Sequence, residues 1–344
     1  MKLTSAVCAA LLLAVASAPP ALAGAGNRVG TSGAAELLIP VGTRDIGMGG
    51  ATAATSAGVD ALFWNPAAVA MMNTSVGLYV SHMNYIADIG VDYGAVSASF
   101  GGLGVFSLSI KSLAVGDIAV TTTQDPDGTG QTFSPQFFTA GLSYSRRLSD
   151  RIAVGITGNL ITERLGDVSA SGVGFTIGVQ YTGLASIEGL SLGVVVKNIG
   201  PQMSFSGAGL LNQAAVAGQD RPPQYYSIVA APFELPSSFE FGLGYRRTFA
   251  GDNSLLLSTG FESNNFSDDE YKLGLEYAYQ DLFFVRGGYD FSQKESGDLD
   301  YIYGPAFGVG FHTALGSTDI TFDYAYRSVK VFSANHVFSV KLGF

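Results

Sequence analysis

Ser238-Phe239-Glu240-Phe241-Gly242-Leu243-Gly244-Tyr245-Arg246 alternates without a break. Phe239, Phe241, Leu243 and Tyr245 fall on one parity, and Glu240, Gly242, Gly244 and Arg246 on the other. A period of two is the repeat of an extended strand with one face in an apolar medium. Two more stretches repeat it. Leu273, Leu275 and Tyr277 oppose Lys272, Gly274 and Glu276, and Ile320, Phe322, Tyr324 and Tyr326 oppose Thr321, Asp323, Ala325 and Arg327. One such segment would suit a soluble sandwich equally well, so number and regularity decide. The alternation predicts strands at Ser75–Tyr85, Val91–Phe100, Gly104–Leu113, Phe137–Arg147, Ile152–Glu163, Ala170–Thr182 and Leu190–Asn198. It continues at Ser238–Arg247, Asn253–Ser263, Asp269–Tyr279, Leu282–Asp290, Gly304–His312, Thr318–Arg327 and Ala334–Phe344.

Fourteen is an even number, as bacterial transmembrane barrels require. Ten residues at about 3.4 Å each, tilted about 40°, span roughly 26 Å, close to an apolar band of about 25 Å. Connections after even-numbered strands are mostly tight, as at Gly101-Gly102-Leu103 and Gln280-Asp281. Connections after odd-numbered strands can be long, notably Ala114 to Gln136, Ile199 to Ser237 and Phe291 to Tyr303. Short turns on one side and long loops on the other are the barrel arrangement. The expected fold is an all-β transmembrane antiparallel barrel over residues 75–344. On its last strand Phe338, Val340, Leu342 and Phe344 share one parity, the form of a signal for the barrel-assembly machinery.

Composition agrees. Of 344 residues 47% are hydrophobic and only 13% charged, which excludes disorder for most of the chain. A net charge of −10 argues against nucleic acid as a partner. Met1-Lys2, the apolar run from Ala6 to Ala16, and Ala21-Leu22-Ala23 before Gly24 predict a signal peptide over residues 1–23. The alternative is an N-terminal anchor, which Pro19-Pro20 would close too early. Cys8, the single cysteine, precedes the end of the apolar run and is misplaced for lipid attachment.

A fourteen-stranded barrel is too wide for side chains alone to fill. Residues 24–74 precede the first strand and carry Leu37, Leu38, Ile39, Ile46, Met48, Leu62, Phe63, Trp64 and Val69 to Met72. That is too apolar for a tail, so this segment is expected to fold into the lumen as a hatch. A small subdomain outside the pore is the alternative.

Within this segment Gly42-Thr43-Arg44-Asp45-Ile46-Gly47-Met48-Gly49-Gly50-Ala51 is followed by Asp60-Ala61-Leu62-Phe63-Trp64-Asn65-Pro66-Ala67. These runs resemble the start of PorV/PorQ family proteins, within the wider FadL-like superfamily of long-chain fatty acid transporters. The resemblance covers roughly Ala34 to Met72 and makes Gly47, Gly49, Gly50, Trp64, Asn65, Pro66 and Ala67 the hatch motif. It implies an accessory or cargo-binding role in type IX protein secretion, with cargo C-terminal domains or a secretion channel as partners. The wider superfamily implies instead a channel for hydrophobic small molecules. Exposed apolar groups in the second long loop, Leu210, Leu211, Val216, Tyr225 and Tyr226, would serve either role.

Gly47-Met48-Gly49-Gly50 lacks the lysine of a phosphate loop, so close packing explains its glycines better. Asp125-Pro126-Asp127-Gly128 lacks the distal glutamate of a calcium loop and reads as a solvated turn. Carboxylates at Ser267 to Glu270 and Glu295 to Asp300 read as solvated loop charge, with divalent-ion binding as the alternative. The histidines are His82, His312 and His336. His82 and His336 are expected outward near the outer rim, with no serine and carboxylate arranged beside them, so no catalytic residue, metal site or cofactor is expected. Glu240, Arg246, Lys272, Glu276, Arg286, Asp323 and Arg327 take the inward parity. They would form a polar network holding the hatch, or simply hydrate a lumen.

Overall fold

The computed structural model describes residues 30–215, 222–249, 251–292 and 301–344. The expected signal peptide, Val216 and the Glu295 to Asp300 carboxylates lie outside the described residues. Fourteen antiparallel strands form the wall. They are β1 (Val76–Asn84), β2 (Gly90–Ser99), β3 (Val105–Ala114), β4 (Gln136–Arg147), β5 (Ile152–Leu165), β6 (Val168–Thr182) and β7 (Leu190–Ile199). There follow β8 (Ser238–Thr248), β9 (Ser254–Asn264), β10 (Glu270–Tyr279), β11 (Phe283–Ser292), β12 (Tyr303–Leu315), β13 (Thr318–Val329) and β14 (Asn335–Gly343). Each strand pairs with its neighbours in sequence, and β1 pairs with β14 from Gly77↔Gly343 to Asn84↔His336. The sheet is therefore a closed barrel, and closure leaves no edge strand to water or lipid.

Parity is respected around the wall. Val80, Phe239, Phe241, Leu275, Tyr277, Val309, Phe322 and Phe338 point outward and are exposed, while Lys111, Lys197, Glu240, Lys272, Glu276 and Arg286 point inward and are buried. Such a chain has its apolar face outside and its polar face inside, the reverse of a soluble sandwich. The short turns gather at one end and the long loops at the other, called here the turn end and the loop end.

Two features depart from a uniform wall. The β5–β6 hairpin is longer than expected, 14 and 15 residues, and turns at Gly166 beyond its neighbours. Pairing between β6 and β7 then slips between Phe175 and Ile177, where Asn198 holds a left-handed φ of 57°. Above the slip, Val168 and Ser169 of β6 pair instead with Gly207 and Ser206 of the following loop. Met203 and Leu235 from the two arms of that loop bury themselves against Ala34, Leu37, Ile161 and Ala170, and close the notch. The second long loop is thus a strap at its ends. Beyond these anchors the loop is mostly exposed, with a two-stranded hairpin of Leu211–Ala214 and Gln224–Ser227.

Residues 30–74 lie inside the barrel. They form short turns of helix at Ala35–Leu38, Thr43–Gly47, Val59–Leu62 and Pro66–Met71. Ile46, Met48, Leu62, Trp64 and Val69 are buried there together with Tyr79, Tyr93 and Val337 of the wall. Leu38 departs from the expectation and remains exposed at 41%.

Candidate functional site

The hatch is seated on the wall by backbone, and inward glycines make this possible. Asn65 caps the Pro66–Met71 turn by accepting the Ala67 N–H at Oδ1 (3.0 Å), with Pro66 pre-set for the first helical position. Its amide nitrogen donates to Ala53 O (2.7 Å) within the hatch and to Val179 O (3.2 Å) on β6. One buried side chain thus ties the hatch to itself and to the wall. Contact this close needs wall positions without side chains: a Cβ on Gly178 would overlap Asn65 Oδ1, and one on Gly155 would overlap the Pro66–Ala67 peptide. Gly193 faces the Ala53 carbonyl in the same way, and Gly288 faces Met48 and Gly49.

Polar wall side chains then take the hatch carbonyls. Lys111 Nζ donates to Glu36 O (2.7 Å) and Ile39 O (3.1 Å). Gln180 donates to Ala54 O (2.8 Å) and Ser56 O (3.2 Å), Ser145 to Pro66 O (2.6 Å), Arg147 to Ala70 O (2.8 Å), and Ser258 to Ala51 O. The Tyr79 hydroxyl accepts from Thr43 N (2.9 Å). Buried carbonyls left unpaired would each cost about 1–3 kcal/mol, so this set fixes the hatch position.

Charge adds a second level. Arg44 of the hatch grips Glu276 with Nε at 2.8 Å and Nη2 at 3.0 Å. Glu276 also accepts from Arg286 (2.8 Å) and Arg246 (3.3 Å), and Arg286 continues to Asp323 (2.5 Å). Of the seven inward charges singled out in the sequence, Arg246, Glu276, Arg286 and Asp323 meet here, nearer the turn end. The other three sit toward the loop end. Glu240 receives Lys197 (2.6 Å), Lys272 bonds Glu262, and Arg327 bonds Asp290. Trp64 lies between the two groups, its indole N–H on Val41 O (2.8 Å) and its ring 5.4 Å from Lys197 Nζ. Sequence reasoning missed Arg44, Lys111, Lys197, Glu262 and Asp290. Inward parity would have found the wall members, but nothing local pairs Arg44 with a residue 232 positions away. Within the hatch, burial raises the Asp45 carboxyl above its ordinary range, opposed by the adjacent Arg44 guanidinium.

Gly47 and Gly49 sit against Gly308 and Tyr289 of the wall, and Gly50 against the Trp64 ring. Gly49 and Gly50 hold left-handed φ of 63° and 72°. Two spaces left between hatch and wall are small and lined by both polar and apolar side chains. One of about 90 Å³ is lined by Trp64, Lys272, Asp290 and Arg327, and one of about 60 Å³ by Phe63, Lys111 and Lys197. A vestibule of about 390 Å³ at the turn end is bounded by Arg44, Asp60, Arg246, Glu276 and Lys341.

The remaining candidates are quickly placed. Asp125 to Gly128 is an exposed hydrogen-bonded turn. Among the described residues no group of three His, Asp or Glu side chains is arranged to hold a metal ion. His312 is inward at the turn end, beside Asp281 O (3.0 Å). His82 and His336 face outward near the loop end, on β1 and β14. Phe338, Val340, Leu342 and Phe344 share the outward face of the last strand and its end.

No curated protein matches the chain. Among solved structures, the toluene transporter TodX of Pseudomonas putida aligns with a TM-score of 0.52 at 13% identity, over 88% of this chain and 96% of that one. The toluene transporter TbuX of Ralstonia pickettii gives 0.53 at 14% identity, over 88% and 98%. At these identities the likeness is of fold alone. In sequence, the model of the family described as type IX secretion system protein PorV matches residues 23–217, more than half the chain and all of the described hatch. The chain belongs to the PorV family.

Proposed function

We propose that this protein is an outer-membrane accessory component of type IX secretion, which receives exported cargo at its loop end and does not conduct through its lumen. The PorV family match over residues 23–217 carries this reading, and the seating of the hatch supports it. In this reading residues 1–23 are a signal peptide removed after Ala23, residues 24–74 the hatch, and residues 75–344 the barrel. The terminal strand ending at Phe344 is read by the assembly machinery, and outer-membrane lipid surrounds the wall. The contact surface is the exposed hairpin of the second long loop, where Leu211, Tyr225, Tyr226, Ile228 and Val229 offer apolar groups to solvent, Val229 at 92% exposure. Exposed apolar groups clustered on a protruding arm are what a partner would cover. The first long loop, with its small hairpin of Ile118–Ala119 and Thr132–Phe133, is the second contact candidate.

One observation favours a conduit for hydrophobic molecules as the second reading. The slipped pairing of β6 and β7 is closed by the strap, through Met203, Phe233 and Leu235 and the pairing of Ser206 and Gly207 with β6, so displacement of the strap would open a side door. The two readings separate in one experiment. The full-length protein, extracted in mild detergent and immobilised, is offered the C-terminal domain of a protein secreted by the same cells, and in parallel is tested for toluene flux in proteoliposomes. Cargo capture that is lost in Tyr225→Ser/Val229→Ser, without toluene flux, is expected. Flux without capture overturns the secretion reading.

A further inference from the structure

The outer wall has a hollow that neither reading uses. Across β1–β3 and β11–β14 the outward face has a shallow, open concavity of about 970 Å³, lined by Val80, Gly94, Ile110, Phe283, Phe338 and Val340. Gly94 creates much of it. It takes the outward parity between Asp92 and Val96, and a Cβ built there meets nothing within 4 Å.

A polar group sits at the upper edge of this hollow, whose lining is otherwise mostly apolar, with His336 of β14 beside Asn84. His82 Nδ1 lies 2.7 Å from Asp92 Oδ1, and His82 Nε2 lies 3.1 Å from Asn84 Oδ1. The His82 and Asp92 side chains are 52% and 65% exposed. His82 is two residues from the loop end of β1, so at about 3.4 Å per residue and a tilt of about 40° it lies roughly 5 Å below it. That places it near the loop-end rim of the outer belt. Polar groups turned toward hydrocarbon cost free energy unless a partner meets them. The lining holds no lysine or arginine, and its one basic side chain, His82, is already engaged by Asp92 and Asn84, so a phosphate would find no free cation. A neutral hydroxyl or amide finds both an acceptor, the second Asp92 oxygen, and donors on Asn84.

We infer that this hollow binds one acyl chain of an outer-leaflet glycolipid, with a sugar hydroxyl or amide of its head hydrogen-bonded at His82, Asp92 and Asn84. The wall thereby holds a specific lipid at the β1–β14 seam, on the side of the barrel away from the β6–β7 notch. Shape and chemistry coincide here: the apolar concavity accepts the chain, and the polar group stands where the head begins.

The test is native mass spectrometry of the full-length protein in detergent, titrated with purified lipid A stripped of its phosphates and separately with phosphatidylethanolamine. Two variants are compared, Gly94→Phe to fill the hollow and Asp92→Leu to remove the acceptor. Neither position faces the lumen, and heat-modifiable gel migration confirms that each barrel is folded. A single lipid A adduct on the wild type, weakened at least tenfold in both variants and not matched by phosphatidylethanolamine, is expected. Equal retention by wild type and both variants overturns the inference. So does preference for phosphatidylethanolamine, absence of any adduct, or a dimer of this chain that disappears in Gly94→Phe, since the hollow would then be a protein interface.

Discussion

Replacing Asn65 by Ala removes three hydrogen bonds at once, and the structure allows their loss to be estimated. The cap on Ala67 N–H is worth about 1 kcal/mol, and each amide hydrogen bond to Ala53 O and Val179 O about 1 kcal/mol net. The hatch should therefore lose about 3 kcal/mol of docking free energy, a factor of roughly 150 at 1.36 kcal/mol per decade. Asn65→Asp sharpens the reasoning. It keeps the capping oxygen, but turns a second oxygen toward two carbonyl oxygens, so it should be at least as damaging as Asn65→Ala. If capping alone mattered, Asp would rescue. The single tryptophan reports the outcome, because Trp64 is adjacent and only 4% exposed. In urea, its emission should shift red and become open to acrylamide well below the concentration at which the barrel itself unfolds. The wild type should lose both signals later. An Asn65→Asp protein indistinguishable from wild type, or an Asn65→Ala protein with an unchanged Trp64 transition, would refute the claim that this residue couples hatch to wall.

Other perturbations follow from the same contacts. Glu276→Gln leaves Arg44, Arg246 and Arg286 around a neutral amide and should cost about 3–5 kcal/mol in the Trp64 transition. Arg44→Met should cost less, and the double variant should fall well short of the sum. Gly178→Val should prevent Asn65 from seating, giving an inserted barrel with raised conductance in planar bilayers; wild-type conductance would show that the hatch tolerates the side chain. Deleting residues 24–74 should raise conductance further, and an unchanged value would mean that the lumen is closed by something else. Tyr225→Ser/Val229→Ser should leave the urea midpoint of the barrel within about 0.5 kcal/mol of wild type, as expected of exposed positions, while abolishing cargo capture.

The wall was legible because each strand solves the same problem. Its outer face meets lipid along the whole span, so Phe239, Phe241 and Leu243, or Phe322 and Tyr324, recur at period two with no tertiary partner required. Most predicted strand ends fall within one or two residues of those observed. The largest departure is β12, which runs three residues past its expected end at His312, to Leu315; β5 and β6 each extend two residues further at the loop end, where the chain leaves the apolar belt and loses its periodic constraint. The hatch was legible only as apolar residues in need of cover. Its seating was not, because Gly155 and Gly178 look like any other inward glycine until Asn65 and Pro66 are placed against them across about a hundred residues of chain. The slip at Asn198 was invisible for a related reason. Its strap, Met203 and Leu235, comes from a loop whose buried ends and exposed middle have similar compositions.

The interior chemistry bears on which face of the protein does the work. A hydrophobic solute crossing this lumen would have to part Arg44 from Glu276, or Lys272 from its carboxylates, and separating one partner of a buried pair costs about 3–5 kcal/mol. It would also displace hatch carbonyls from Lys111, Gln180 and Ser145, each worth about 1 kcal/mol or more while paired. An apolar molecule returns none of this, since it offers neither charge nor hydrogen bond. The exposed arm around Tyr225 and Val229 carries the opposite balance: covering it removes apolar surface from water, at about 25 cal/mol per Å², and breaks no ion pair. The cost of passage through this barrel is therefore written on the inward parity. Glycine and paired charge there hold a hatch shut, and they leave the loop end as the surface where binding is cheapest.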